Sequence, residues 1–343
     1  MRAWTRSASI VCGLVLAVLS CAPAFACAGL IGSNGAVNLG QTTTLAAYHD
    51  GVEHYVTAFK FLGGGGQFGT LIPLPAVPTQ VERGGAWTLQ RLLRETHPPV
   101  AVRFAAGVAA PAADSVEVVL QTRIDALDLT VLKGGGPAVA DWAHAHGFSL
   151  SPDAPEVLDF YAQRSPVFLA AIFDGDAAQQ RGQKIGDGTP VHLTIPVPNP
   201  WVPLRILGLG KQPSDNVGAD VFLLTDTQPS LVPGARDGLT LTHSALASTR
   251  LLDDLRGDAG MDWVPTSAWL TELSVNSSVS DLKYDLAIDA SGTAQPLLVA
   301  AGLQVPGSFS VTPVADGVQL QYMMALLVVV VPTVGLFVVL RRA

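Results

Sequence analysis

The chain has 343 residues, room for one large domain or two modest ones. Its 20 Lys and Arg and 28 Asp and Glu leave a formal charge of −8, with 14% of residues charged and 49% hydrophobic. That balance excludes wholesale disorder, the absence of a basic block argues against nucleic acid as a partner, and three cysteines exclude a disulfide framework.

The chain opens on Arg2 and Arg6, then an apolar run from Ile10 to Leu19, then Ala24-Phe25-Ala26. This charged, apolar, small order is that of a secretory signal peptide, placed at 1–26. The run is too short to cross ~30 Å of hydrocarbon as a helix. An uncleaved N-terminal anchor is one alternative. Lipidation is another, at Cys21 or Cys27, each preceded by an imperfect small-residue box. Cys27 is then lipidated, paired between chains, or free.

Gly (34) and Pro (24) exceed average usage and predict many turns and a strand-rich fold. Strands at Thr42–His49 and Val52–Leu62 flank Asp50-Gly51, a dipeptide suited to a type I′ hairpin turn. In the second strand Tyr55, Thr57, Phe59 and Phe61 share one face. A glycine loop at Gly63–Gly66 leads to a strand at Phe68–Leu74, and Trp87–Thr96 reads as a short amphipathic helix before Pro98-Pro99. Val116 to Ile124 alternates as a strand, with Leu127–Leu132 as neighbour. Pro137 starts a helix that Gly147 ends, and a second helix, Pro155–Gln163, takes Asp153 as N-cap. Strands are expected at Val167–Phe173, Val191–Val197, Leu204–Leu209 and Ala219–Thr225. A helix follows at Leu246–Leu255, then strands at Trp269–Ser274 and Leu282–Ile288.

Residues 289–320 read as a stalk. Met323–Leu340 is an uncharged run of eighteen closed by Arg341 and Arg342, so 321–340 is expected to be a transmembrane helix kinked at Pro332, with 341–343 cytoplasmic. A C-terminal sorting signal, later removed, is the related alternative. Residues 27–320 then lie outside the cell with 28 acids against 16 bases, a formal charge of −12. The fold class expected is α+β, mainly antiparallel β-sheet with a few short helices, plus one C-terminal transmembrane helix. Residues 27–288 form the extracytoplasmic domain, in one body or two lobes. A faint echo between Leu71–Pro75 and Thr194–Pro198 permits two related halves. Prolines ending two edge strands explain it more simply.

Motifs for chemistry are sparse. Gly64-x-Gly66-x-x-Gly69 has dinucleotide spacing, but Leu71-Ile72-Pro73 after it cannot open a helix. Gly208-Leu209-Gly210-Lys211 lacks the Ser or Thr of a phosphate loop, because Gln212 stands there. His144 and His146, two apart on a helix, diverge. His49 and His54 flank the hairpin turn and could approach across it. Asp253, Asp254, Asp258 and Asp262, and likewise Asp174-Gly175-Asp176, are acidic stretches without the order of a calcium loop. Arg256-Gly257-Asp258 spells an adhesion tripeptide too short to carry weight. No catalytic residue, cofactor site or metal site is assigned.

In order along the chain, Cys27-Ala28-Gly29, Phe68, Ile72-Pro73-Leu74-Pro75, Leu92-Leu93, Thr96, Pro98-Pro99, Asp141-Trp142, Asp159-Phe160-Tyr161, Phe168, Pro203-Leu204-Arg205 and Trp269-Leu270-Thr271-Glu272 form a series. That series resembles a family of uncharacterised secreted bacterial proteins, domain of unknown function 2330, over roughly residues 27–275. Members often carry a second Cys where this chain has Gly32, and an aromatic where it has Thr70. The resemblance implies an exported, membrane-tethered domain and no known activity. The resulting expectation is a single-pass protein of the bacterial cell envelope, held in the lipid bilayer by its C-terminal helix and acting as a binding or scaffolding module toward an envelope partner. The alternative is an envelope hydrolase or metal-dependent enzyme whose site is assembled from residues distant in sequence.

Overall fold

The computed structural model describes residues 29–32, 35–36, 42–60, 67–97, 118–182, 188–290 and 297–304. The chain begins with β1 (Gly29–Gly32), β2 (Gly35–Ala36) and the hairpin β3 (Thr42–His49) and β4 (Val52–Lys60). β5 (Gln67–Pro73) and β6 (Gln80–Arg83) lead to helix α1 (Thr88–Thr96). β7 (Val118–Ile124) and β8 (Leu127–Lys133) precede α2 (Gly136–Ala145) and α3 (Ala154–Ala162). β9 (Val167–Asp174), α4 (Gly175–Gln180), β10 (Gly188–Pro196) and β11 (Trp201–Val202) follow. After a 3-10 turn at Arg205–Gly208 come β12 (Asn216–Thr225), β13 (Ser230–Val232) and β14 (Leu239–Leu246). α5 (Thr249–Arg256), β15 (Trp269–Ser278) and β16 (Leu286–Asp289) complete the described elements.

A seven-stranded sheet has the order β14-β15-β12-β3-β4-β10-β6, and a six-stranded sheet the order β2-β1-β5-β9-β8-β7. A small third sheet is β11-β16-β13. Every pairing is antiparallel except β3 with β12. The turn at Asp50-Gly51 has φ of 49° and 80°, both positive as type I′ requires, and glycine takes the second value without steric cost.

Side-chain alternation sets the layers. On β3, Ala46 faces the six-stranded sheet and joins Tyr55, Phe59, Leu129, Val131, Leu169 and Leu193 in the core between the sheets. Leu45 and Ala47 point the other way, under α1 and α5, where they meet Leu89, Leu92, Leu251, Leu252 and Leu255. The outer face of the six-stranded sheet gives Leu71, Phe168 and Ala170 to Val139, Trp142, Leu158 and Tyr161 of α2 and α3. The result is helix, sheet, sheet, helix. Inner strands are buried on both faces, so β9 reads as an unbroken apolar run rather than an alternating one. Each fully buried Leu or Phe contributes about 1.5–3 kcal/mol.

The expected fold class needs one correction. α+β with mainly antiparallel sheet describes the molecule, but the C-terminal transmembrane helix is not among the described elements. No helix among the described residues is long and apolar enough to cross a membrane. The ten residues of α2 rise only about 15 Å. Segment 321–340 lies outside the described residues, as do 1–26 and 341–343. Residues 297–304, inside the expected stalk, pack on the domain: Ala301 is buried, and the Asp285 amide donates to its carbonyl (2.9 Å).

Smaller corrections have local causes. Leu204–Leu209 is a 3-10 turn, not a strand. Its apolar residues repeat every three: Leu204 and Leu207 enter the inter-sheet core, Ile206 and Leu209 the helix-covered one. Leu246–Leu255 divides, with Leu246 ending the unpredicted edge strand β14 and α5 starting after Ser248, whose hydroxyl accepts from the Leu251 amide. Asp153 stands at the N-cap of α3, but its carboxylate accepts from the Gly210 amide instead (3.0 and 3.2 Å). Pro73 and Pro196 end inner strands, not edge strands.

Candidate functional site

At one end of the seven-stranded sheet, three turns meet around a cleft of about 490 Å³. The first is Arg236–Leu239, closed by reciprocal backbone hydrogen bonds of 2.9 Å. Gly238 there has φ of +81°, and an added Cβ would sit 2.8 Å from the Ser277 side chain, so both conformation and close approach demand glycine. The second is the end of β15, where the Asn276 amide donates to Gly238 O (2.9 Å). The third follows β15: the Ser278 hydroxyl donates to the Asp281 carboxylate (2.5 Å), and the Ser280 amide is held by Pro213 O. Val279 and Leu282 anchor this turn in the inter-sheet core, together with the Tyr284 ring.

Tyr284 borders the cleft and is 4% exposed, and its buried hydroxyl makes no hydrogen bond among the described residues. Burial pushes the phenol up, Arg236 pulls against that, and Asp281 adds to it, so the hydroxyl stays protonated. The Arg236 guanidinium lies 5.2 Å from the Tyr284 ring centroid, a cation–π contact that orients its donors at the cleft. Asp237 and Asp281 supply carboxylates, and Asn276, Ser277 and Ser278 supply groups that both donate and accept. The lining is therefore polar and offers both donors and acceptors.

None of these residues was singled out by sequence reasoning. Asp237-Gly238 is the same turn dipeptide as Asp50-Gly51 and was the available signal.

The residues that were singled out go elsewhere. His49 turns to Asp226 (2.6 Å), not to His54. His54 Nδ1 meets His192 Nε2 (2.9 Å) from β10, and the Trp263 indole stacks on His54 at 4.0 Å. Burial leads in holding both imidazoles down to about 4; His192 and His49 add to it at His54, and Asp262 opposes it at His192. Glu82 Oε1 lies 3.2 Å from His192 Nδ1, out of line for a hydrogen bond. His146 stacks on Trp142 and contacts its carbonyl (2.7 Å), while His144 is exposed.

The acidic stretch is spent on structure. Asp253 pairs with Arg256, and Asp254 with Arg91 (2.8 Å). Asp258 accepts from the Ala86 and Trp87 amides (3.0 and 2.9 Å) and the Thr88 hydroxyl, tying α5 to the start of α1. The adhesion tripeptide is therefore folded inward at Asp258, 4% exposed. Asp174 caps the short α4 through the Asp176 amide (2.9 Å). No three such groups could hold a metal among the described residues. Gly69 lies within β5, not before a helix, while Gly64, Gly66 and Cys27 lie outside the described residues.

Among solved structures, a mutated baculovirus P35 after caspase cleavage is similar at 6% identity and TM-score 0.40, covering 73% of this chain and all of that one. Baculovirus P35 itself gives 8% and 0.39, over 73% and 96%. P35 in the caspase-8 complex gives 6% and 0.35, over 73% and 91%. At these scores the likeness carries no inference about fold or partner. No curated protein matches the chain. Residues 21–228 match the family described as an uncharacterized protein conserved in bacteria (DUF2330), and with most of its length inside that match, this chain belongs to the DUF2330 family.

Proposed function

We propose that this chain is an exported binding module of the bacterial cell envelope and that it binds through the cleft between Arg236 and Tyr284. The observation that carries the binding half is the Tyr284 hydroxyl, buried without a partner among the described residues in a side chain that borders the cleft. A polar atom so placed is costly unless something completes it. The export half is supported by the charged, apolar, small order within residues 1–26.

The test is fractionation of bacteria expressing the full chain, followed by retention of the chain on washed envelope preparations. The expected result is recovery outside the cytoplasm with the leader removed. Tyr284→Phe should weaken retention roughly two- to tenfold, the worth of one hydrogen bond. Recovery in the cytosol with the leader attached overturns export. Retention unchanged by both Tyr284→Phe and Arg236→Ala overturns the cleft as the binding site.

A further inference from the structure

We infer that the cleft takes an uncharged, hydroxyl-rich ligand, a short stretch of saccharide, a conclusion that rests on reading the cleft as the binding site. Arg236 is exposed and makes no ion pair among the described residues, so its guanidinium donors await acceptors. Asp237 and Asp281 border the same space, and Asp281, which already accepts from the Ser278 hydroxyl, keeps its second oxygen for a donor. A ligand anion would meet two carboxylates, and a ligand cation would meet the Arg236 guanidinium. An apolar ligand would leave the buried Tyr284 hydroxyl without a partner.

Neighbouring hydroxyls on one ring resolve all three conflicts. Each hydroxyl both donates and accepts, so one pair can accept from the guanidinium fork while another donates to a carboxylate. Ser277, Asn276 and the protonated Tyr284 phenol are equally two-sided. The volume, about 490 Å³, lies within the range of small-molecule clefts and is generous for a single ring. The ligand can be a free oligosaccharide or the end of an insoluble glycan, and both present the same hydroxyls.

Calorimetry on the full chain decides it, with cellotriose and chitotriose as neutral probes and inorganic phosphate and spermidine as charged ones. Expected is binding of a neutral trisaccharide, weakened roughly two- to tenfold by Tyr284→Phe and tenfold or more by Arg236→Ala. Unchanged thermal midpoints show that both variants fold. Pelleting with insoluble chitin or cellulose separates the sources: co-sedimentation that soluble trisaccharide does not compete away assigns the polymer, and competition assigns the free sugar. No heat with either trisaccharide, or tighter binding of phosphate or spermidine dependent on Arg236, overturns the inference. If envelope retention still falls in Tyr284→Phe, only the ligand class is lost; if retention is unchanged as well, the cleft itself is lost as a site.

Discussion

Asp285 and Glu53 are both wholly buried carboxyl groups, and the fold treats them in opposite ways. Asp285 accepts from the Tyr161 hydroxyl (2.8 Å), the Leu204 amide (2.7 Å), the Arg205 amide (3.0 Å) and the Arg164 guanidinium. Arg164 is itself held over the rings of Phe160, Trp201 and Tyr161 and donates to Ala300 O. Glu53 shares the face of β4 that carries Tyr55 and Phe59 into the inter-sheet core, and neither of its oxygens has a partner among the described residues. Burial alone pushes its carboxyl up to about 8. The nearby Tyr48 hydroxyl donates to Val197 O instead. The contrast lies in the supply of donors: both carboxyls are buried, and only Asp285 is given hydrogen bonds among the described residues. Glu272 follows the Asp285 pattern, held by His97 (2.7 Å) and Thr242 (2.9 Å).

The largest effect should come from breaking the satisfied cluster. Asp285→Ala leaves Arg164 buried without its anion and should cost about 3–5 kcal/mol in chemical denaturation at neutral pH. A cost below 1 kcal/mol would erase the distinction drawn here. Glu53 sharpens the other side. Its folded pKa is raised from 4.5 to about 8, so the native state holds a proton that the unfolded chain has released over that window. Stability should fall as pH rises from about 4.5 to about 8, at up to ~1.4 kcal/mol per pH unit. Glu53→Gln should remove that slope, read from denaturation midpoints at several pH values.

The paired imidazoles test the same rule with the opposite sign. His54 and His192 are lowered from 6.5 to about 4, so their contribution is intact above pH 6.5 and is lost as pH falls toward 4. His54→Asn should flatten that acid limb by roughly 1 kcal/mol, after allowance for partial exposure. Comparable in size is the effect at a satisfied, buried carboxylate just past α5. Asp258→Ala unties α5 from the start of α1 and should cost about 1–2 kcal/mol, measured as a lowered thermal midpoint.

What was legible in the sequence was local. The β3–β4 hairpin follows from alternation and Asp50-Gly51, and β7 with β8 from alternation across a short turn. β14 escaped because an edge strand need not alternate: it leaves Leu241 and Leu246 exposed at 44% and 68%. Leu204–Leu209 misled because a run serving two cores repeats every three residues. The cleft was illegible because its parts come from turns around positions 237, 277 and 281, and the unpaired state of the Tyr284 hydroxyl exists only once those turns meet. His54 was noticed, but its partner stands 138 residues away, and sequence proximity pointed to His49.

The parallel pairing of β3 with β12 has a consequence for biosynthesis. β3 and β4 leave the ribosome one after the other and can zip together at once, yet the strands that flank them, β10 and β12, begin only at Gly188 and Asn216. Until then the nascent hairpin shows two bare edges, and loop closure over so long a span is slow. A holding chaperone that covers Thr42–Lys60 during translation would therefore spare this polypeptide from premature aggregation.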